Sequence, residues 1–224
     1  NSGKSKLRRL SFILKVCVFA TGCAAMVTEY TLATLASYLL GDSIRQWTIV
    51  ISLMLFSMGL GSRYSRKWEA RLLDRFVLTE FGLSFLCTFS AMFCFWISAY
   101  TVHFGLVVYG VACMIGFMTG LEIPLITRIN QAYESLRENI SSVMEYDYYG
   151  GLLGGALFAF VLLPFLGLTY TPVLIGSFNL LVASLILWYF PGRLTRPRIL
   201  NVQFAALFLV SVLAFAVAKP IILY

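Results

Sequence analysis

An all-α integral membrane bundle is the fold class this sequence predicts, and three observations predict it. Of 224 residues, 60% are hydrophobic and only 12% charged, with a mean hydropathy of +0.86. A soluble domain carries roughly a quarter charged residues and could not hide this much apolar surface. The apolar residues gather in seven runs, most near the length of about 20 residues that spans a bilayer. The basic residues fall in short blocks between those runs, a membrane pattern rather than a nucleic-acid one despite the net charge of +7. A soluble enzyme, a disordered chain and a nucleic-acid partner are excluded on these grounds.

The runs predict spans over about 11–40, 45–62, 76–99, 104–126, 148–167, 171–190 and 199–218. They are continuous, unlike the alternating ten-residue segments of a membrane barrel. Helices satisfy their own backbone amides, as lipid demands. The single transmembrane domain then fills residues 1–224, with a lipid bilayer as its first partner. The first run is too long for a cleaved signal peptide and has no clear small-x-small cleavage site before Glu29. Trp47, Trp68, Trp96 and Trp188 lie at or near span ends, where interfacial aromatics belong.

Orientation follows from the basic residues. Lys4, Lys6, Arg8, Arg9 and Lys15 precede the apolar run that opens at Val16, with residues 11–15 as its entry. Arg63, Arg66, Lys67, Arg71 and Arg75 follow the second span, Arg128 and Arg137 the fourth, and Arg193, Arg196 and Arg198 the sixth. All fall on one side, against Arg45 and Lys219 on the other, which places the N-terminus in the cytoplasm and the chain in the inner (plasma) membrane.

Residues 129–145 differ in kind. Ile129, Tyr133, Leu136, Ile140 and Val143 recur at spacings of three and four, so an amphipathic helix on the cytoplasmic surface is expected.

Four carboxylates are candidates for binding a substrate or cation. Glu29 falls near the middle of the first span, Glu80 about one turn into the third, Glu122 near the inner end of the fourth, and Asp147 opens the fifth. A charge in lipid costs about 2.5 kcal/mol or more at a helix centre, so these groups must face the bundle, be protonated or find partners. One reading has them paired with Arg128, Arg63 or hydroxyls to hold helices together. The other makes them an acidic vestibule for a cation or a proton relay. Pro124, beside Glu122, cannot donate its amide and clashes with the carbonyl of Gly120, which predicts a kink there. Gly116 and Gly120, Gly150 and Gly154, and Gly151 and Gly155 are small-xxx-small pairs for close helix packing. No strand precedes these glycines and no GK[ST] follows, so they are not a phosphate loop. Five cysteines lie inside apolar runs and read as buried thiols, and the lone His103 supports no metal site.

Several stretches carry a resemblance. TEYTLATLASYLLGDS, VISLMLFSMGLGS, GLEIPLITRI and YDYYGGLLGGALFAFVLLPFLGL resemble the N-terminal membrane domain of membrane-bound spermidine synthase-like proteins, which are polyamine aminopropyltransferases. The likeness runs from the first span to the sixth. Its strongest piece is Asp147, Tyr148 and Gly150 with the LLPFLGL ending, and Glu29, Glu122 and Pro124 also match. The resemblance implies a membrane domain that anchors or feeds a C-terminal soluble transferase domain, expected beyond residue 224. It implies decarboxylated S-adenosylmethionine as co-substrate of that domain, with no cofactor in this chain. No catalytic residue can be carried over, because no strand-glycine nucleotide unit is present. A transporter-like domain moving a polyamine or other cation through the acidic site is the alternative, and an unrelated small transporter a third. A polyamine ligand and a second copy of the chain are further candidate partners. Seven spans from a cytoplasmic start leave Tyr224 outside. Either the last run does not span, or an eighth span follows, or the transferase domain works outside.

Overall fold

The computed structural model describes the backbone of residues 2–222 and the side chains of residues 8–190 and 192–216. Lys4, Lys6 and Lys219 of the basic blocks, and the end at Tyr224, lie outside the described side chains. The described residues are helical almost throughout, without a strand: α1 (Ser2–Leu40), α2 (Ser43–Ser65), α3 (Leu72–Ser98), α4 (Phe104–Asn130), α5 (Leu136–Leu157), a π-helical segment (Phe158–Leu166), α6 (Gly167–Tyr189), a 3-10 turn (Pro191–Arg193) and α7 (Pro197–Ile222).

Six helical stretches are long and apolar enough to cross a membrane. The fifth, Leu136–Tyr189, runs 54 residues. A straight helix of that length would reach about 80 Å at 1.5 Å per residue, far beyond a bilayer. The run turns back instead at Gly167, whose φ of 62° suits a residue without a Cβ. The Thr171 hydroxyl donates to the Leu162 carbonyl at 3.3 Å, nine residues away, a distance no straight helix allows. Pro164 sits inside the π-helical segment leading into that turn. At the first turn, Gly41 and Asp42 are both left-handed and the Asp42 carboxylate accepts from the Arg45 amide, starting α2.

Helix α1 is the central element, packed on α5, α2, α6 and α4, while α3 packs on α6, α4 and α7. Two large apolar clusters fill most of the bundle. One joins Leu14, Phe76, Leu125 and Ile186; the other joins Val27, Met54, Ile115 and Ile175. Glycines set the closest approaches. A Cβ on Gly150 would collide with the Phe19 carbonyl oxygen, and one on Gly154 with that of Cys23, so α5 lies directly on α1. Gly151 and Gly155 flank the same seam in ordinary contact range of Met26 and Tyr30. Gly116 and Gly120 press on Met54 and Met58 of α2.

Residues 129–145 do not form one surface helix. Ile129 and Asn130 finish α4, a turn follows, and α5 begins at Leu136 and continues into the bundle. Asn130 and Asn139 are fully buried across that turn. Asn130 Nδ2 donates to Asn139 Oδ1 at 2.9 Å and Asn139 Nδ2 to the Thr127 carbonyl at 2.7 Å. These polar bonds let the chain reverse where the hydropathy pattern reads as one amphipathic stripe. Helix α4 continues through Pro124.

One end of the bundle gathers the basic segments. Lys15 of α1 pairs with Glu134 of the α4–α5 turn at 2.6 Å. Arg9 lies 5.7 Å over the Tyr189 ring at the end of α6, and Arg193 lies 5.0 Å over the Tyr133 ring. Arg128 Nη1 and Nη2 donate to the Trp68 and Ser65 carbonyls, both at 2.8 Å. Asp74 at the start of α3 accepts from the Thr195 amide and hydroxyl ahead of α7. At the other end, Tyr38 of α1 meets Phe95 of α3, and Tyr109 of α4 bonds Gln46 of α2 at 2.6 Å.

Candidate functional site

Three of the four expected carboxylates come together inside the bundle. Glu80 of α3 is fully buried and Glu122 of α4 is 3% exposed. Each sits eight residues from the end of its helix, and α3 and α4 pack against each other, so the two acids share one depth. Their carboxyl groups are close enough to interact. Two carboxylates are two acceptors, however, and no donor reaches either oxygen of Glu80. Burying two such charges unpaired is far costlier than burying a neutral group. One proton held between them would remove a charge and supply the missing donor, as in other carboxyl pairs.

Asp147 of α5 is half-buried. Its carboxyl packs on Gly22 of α1, near enough for its charge to act on Glu122. Glu29 stands apart. It is half-buried on α1, seven residues beyond Gly22, which is about 10 Å along the helix. Among the described residues no side-chain hydrogen bond reaches it.

Around Glu122 the bundle is polar. Thr21 and Thr28 of α1, Cys87 of α3, Thr119 and Asn179 line with it a cavity of about 10 Å³. A second cavity of about 10 Å³ shares Thr28 and Cys87 and adds Thr31 and Ser90. Each has room for about one water molecule. Thr28 Oγ1 lies 3.7 Å from Cys87 Sγ, and Asn179 Nδ2 lies 3.9 Å from it. Ser84 and Thr88 follow Glu80 at four-residue steps along α3, buried and without partners of their own. The group can hold a proton or single waters. Neither cavity can admit a polyamine.

Arginine does not neutralise these acids. Arg128 spends its guanidinium on the carbonyls of Ser65, Trp68 and Pro124, closing the end of α2, and Arg63 is exposed. The hub that sequence reasoning missed is Glu134. Ser11 and Lys15 donate to one of its oxygens, and Asn130 and Ser142 to the other. Burial pushes this carboxyl up, but the hydrogen bonds from Lys15 and Ser11 and the Lys15 charge outweigh it and hold the group below its ordinary range. The available signal was four polar residues, Asn130, Glu134, Asn139 and Ser142, bracketing a reversal.

No family model matches the chain, and no solved structure matches it. The chain is 45% identical over 218 residues to polyamine aminopropyltransferase 2 of Aquifex aeolicus, a match covering 96% of this chain and 43% of that protein. It is 36% identical to the polyamine aminopropyltransferase of Oceanobacillus iheyensis over 79% of this chain and 36% of that protein. It is 31% identical to the Leptospira interrogans polyamine aminopropyltransferase, over 94% and 42% respectively. Nearly the whole of this chain is therefore related to polyamine aminopropyltransferases, and it spans about two fifths of the length of these relatives.

Proposed function

We propose that this chain is the membrane-embedded portion of a polyamine aminopropyltransferase-like protein, and that it anchors a transferase portion supplied by further sequence. The observation that carries this reading is the lopsided match: 96% of this chain against 43% of the Aquifex relative. The matched part consists of apolar helices. Aminopropyl transfer needs a sulfonium donor bound in a nucleotide-sized pocket, an amine held in line and a base. The cavity that Glu122 lines and the one beside it are water-sized, which supports anchoring over passage of a polyamine through the bundle.

Seven crossings with a cytoplasmic N-terminus complete the proposal, counting the 54-residue stretch as two because it turns back at Gly167. The contacts that gather the basic segments at one end support it, since cytoplasmic ends are enriched in Lys and Arg. Seven crossings leave the chain on the face opposite to its start. A transferase portion on the cytoplasmic side then requires one further crossing.

Deleting residues 1–224 together with that further crossing from the full-length parent tests the anchoring role. The shortened protein should move from the membrane fraction to the soluble one while keeping turnover of decarboxylated S-adenosylmethionine with putrescine. A shortened protein that stays in the membrane fraction contradicts anchoring by these helices.

A further inference from the structure

Away from the acids, the α2–α4 seam builds a feature that the transferase reading does not use. Gly61, Gly116 and Gly120 bring the two backbones into contact, for a Cβ on any of them would collide with the main chain of Phe117, Met54 or Met58. Helices this close leave their larger side chains to spread along the flanks. Leu60 and Phe117 do so, and they line two adjoining grooves. One, of about 420 Å³, is apolar and walled by Leu86, Met114 and Met118. The other, of about 520 Å³, opens at the basic end of the bundle between Arg63, Tyr64, Arg66 and Lys67. Both volumes lie within the usual range of ligand sites, about 300–1,000 Å³.

The chemistry changes along this continuous trough. Tyr64 links its halves, with its ring 5.7 Å from Phe117 and the Lys67 ammonium 5.1 Å above it. Arg63, Arg66 and Lys67 are exposed, and among the described residues no carboxylate pairs with them. Three cations therefore stand uncompensated at the mouth of an apolar channel that faces outward from the bundle. Basic pockets at the ends of membrane helices suit anionic headgroups, and guanidinium forks suit phosphate oxygens.

We propose that this trough binds one anionic phospholipid. Its headgroup phosphate rests on Arg63, Arg66 and Lys67, and an acyl chain lies along Leu60, Phe117 and Met114. A free phosphate would engage only the basic half, and a zwitterionic lipid only the apolar half.

The test uses the purified 224-residue chain in detergent, with phosphatidylglycerol, phosphatidylcholine or inorganic phosphate added separately. Retention is read by native mass spectrometry and stability by thermal unfolding. Phosphatidylglycerol should stay as a one-to-one adduct and raise the unfolding temperature. The R63A/R66A/K67A variant should bind it on the order of a hundredfold more weakly, as expected for three surface charges near a headgroup. Phe117→Ala should weaken retention with all three cations in place, and Arg137→Ala, a basic change elsewhere, should not. Circular dichroism checks that the exposed-site variants remain helical. Equal retention of phosphatidylcholine, full retention by the triple variant, or the same stabilisation from inorganic phosphate alone would each overturn the proposal.

Discussion

At the scale of single residues, the buried acids decide the character of the interior. Sequence placed Glu80, Glu122 and Asp147 in the inner half of the bundle, because a carboxylate in lipid must turn inward. It could not show that Glu80 and Glu122 face each other, because hydropathy says nothing about which cation a carboxylate finds. The nearest candidate, Arg128, is drawn instead to the carbonyls ending α2. An amide at position 80 can donate to Glu122 without a shared proton. Glu80→Gln should therefore melt in detergent near the parent, whereas Glu80→Ala should cost about 1–3 kcal/mol by leaving Glu122 without a donor. If Gln costs as much as Ala, the two groups do not bond. Glu134 gives a pH dependence. Its folded carboxyl titrates below the ordinary 4.5, so its contribution is present above that pH and fades as the pH falls through the lowered value. The parent should lose melting temperature below pH 4.5 more steeply than Glu134→Gln, and parallel acid profiles would count against the Lys15–Glu134 link.

Among the elements, the small-residue pairs and the hairpin tell different stories about legibility. The glycine spacings pointed to close packing because i, i+4 positions share a helix face. Which pair touches most closely depends on helix rotation, which sequence spacing leaves open. Gly150 and Gly154 sit where a side chain would strike the α1 backbone, while Gly151 has only the Met26 methyl at 3.6 Å. Gly154→Leu should separate α5 from α1 and lower the melting temperature, and Gly151→Ala should leave it nearly unchanged. Equal effects would show that the seam is not where the structure puts it. The stretch 129–145 misled for a physical reason. Its apolar residues fit one helical wheel, but the turn is held by buried Asn130 and Asn139, whose partners are far apart in the pattern.

On the scale of the whole molecule, the basic blocks were the most legible feature, since a membrane sorts charge by side. Cross-element contacts now join those blocks at one end. Ser65, near the centre of one block, is fully buried and unsuited to labelling, but Lys67 and Tyr100 are exposed at opposite ends. In a cysteine-free background, Lys67→Cys should react only with reagents that enter the cytoplasm, and Tyr100→Cys with impermeant ones outside intact cells. The reverse pattern would invert the topology. The central claim is the division of labour between these helices and the remaining part of the relatives' length. It is tested most directly by incubating the purified 224-residue chain with decarboxylated S-adenosylmethionine and putrescine, beside the full-length parent. Turnover should come from the parent alone. Turnover by the 224-residue chain that survives purification and disappears in Glu122→Gln would contradict the account and put the active site inside the membrane.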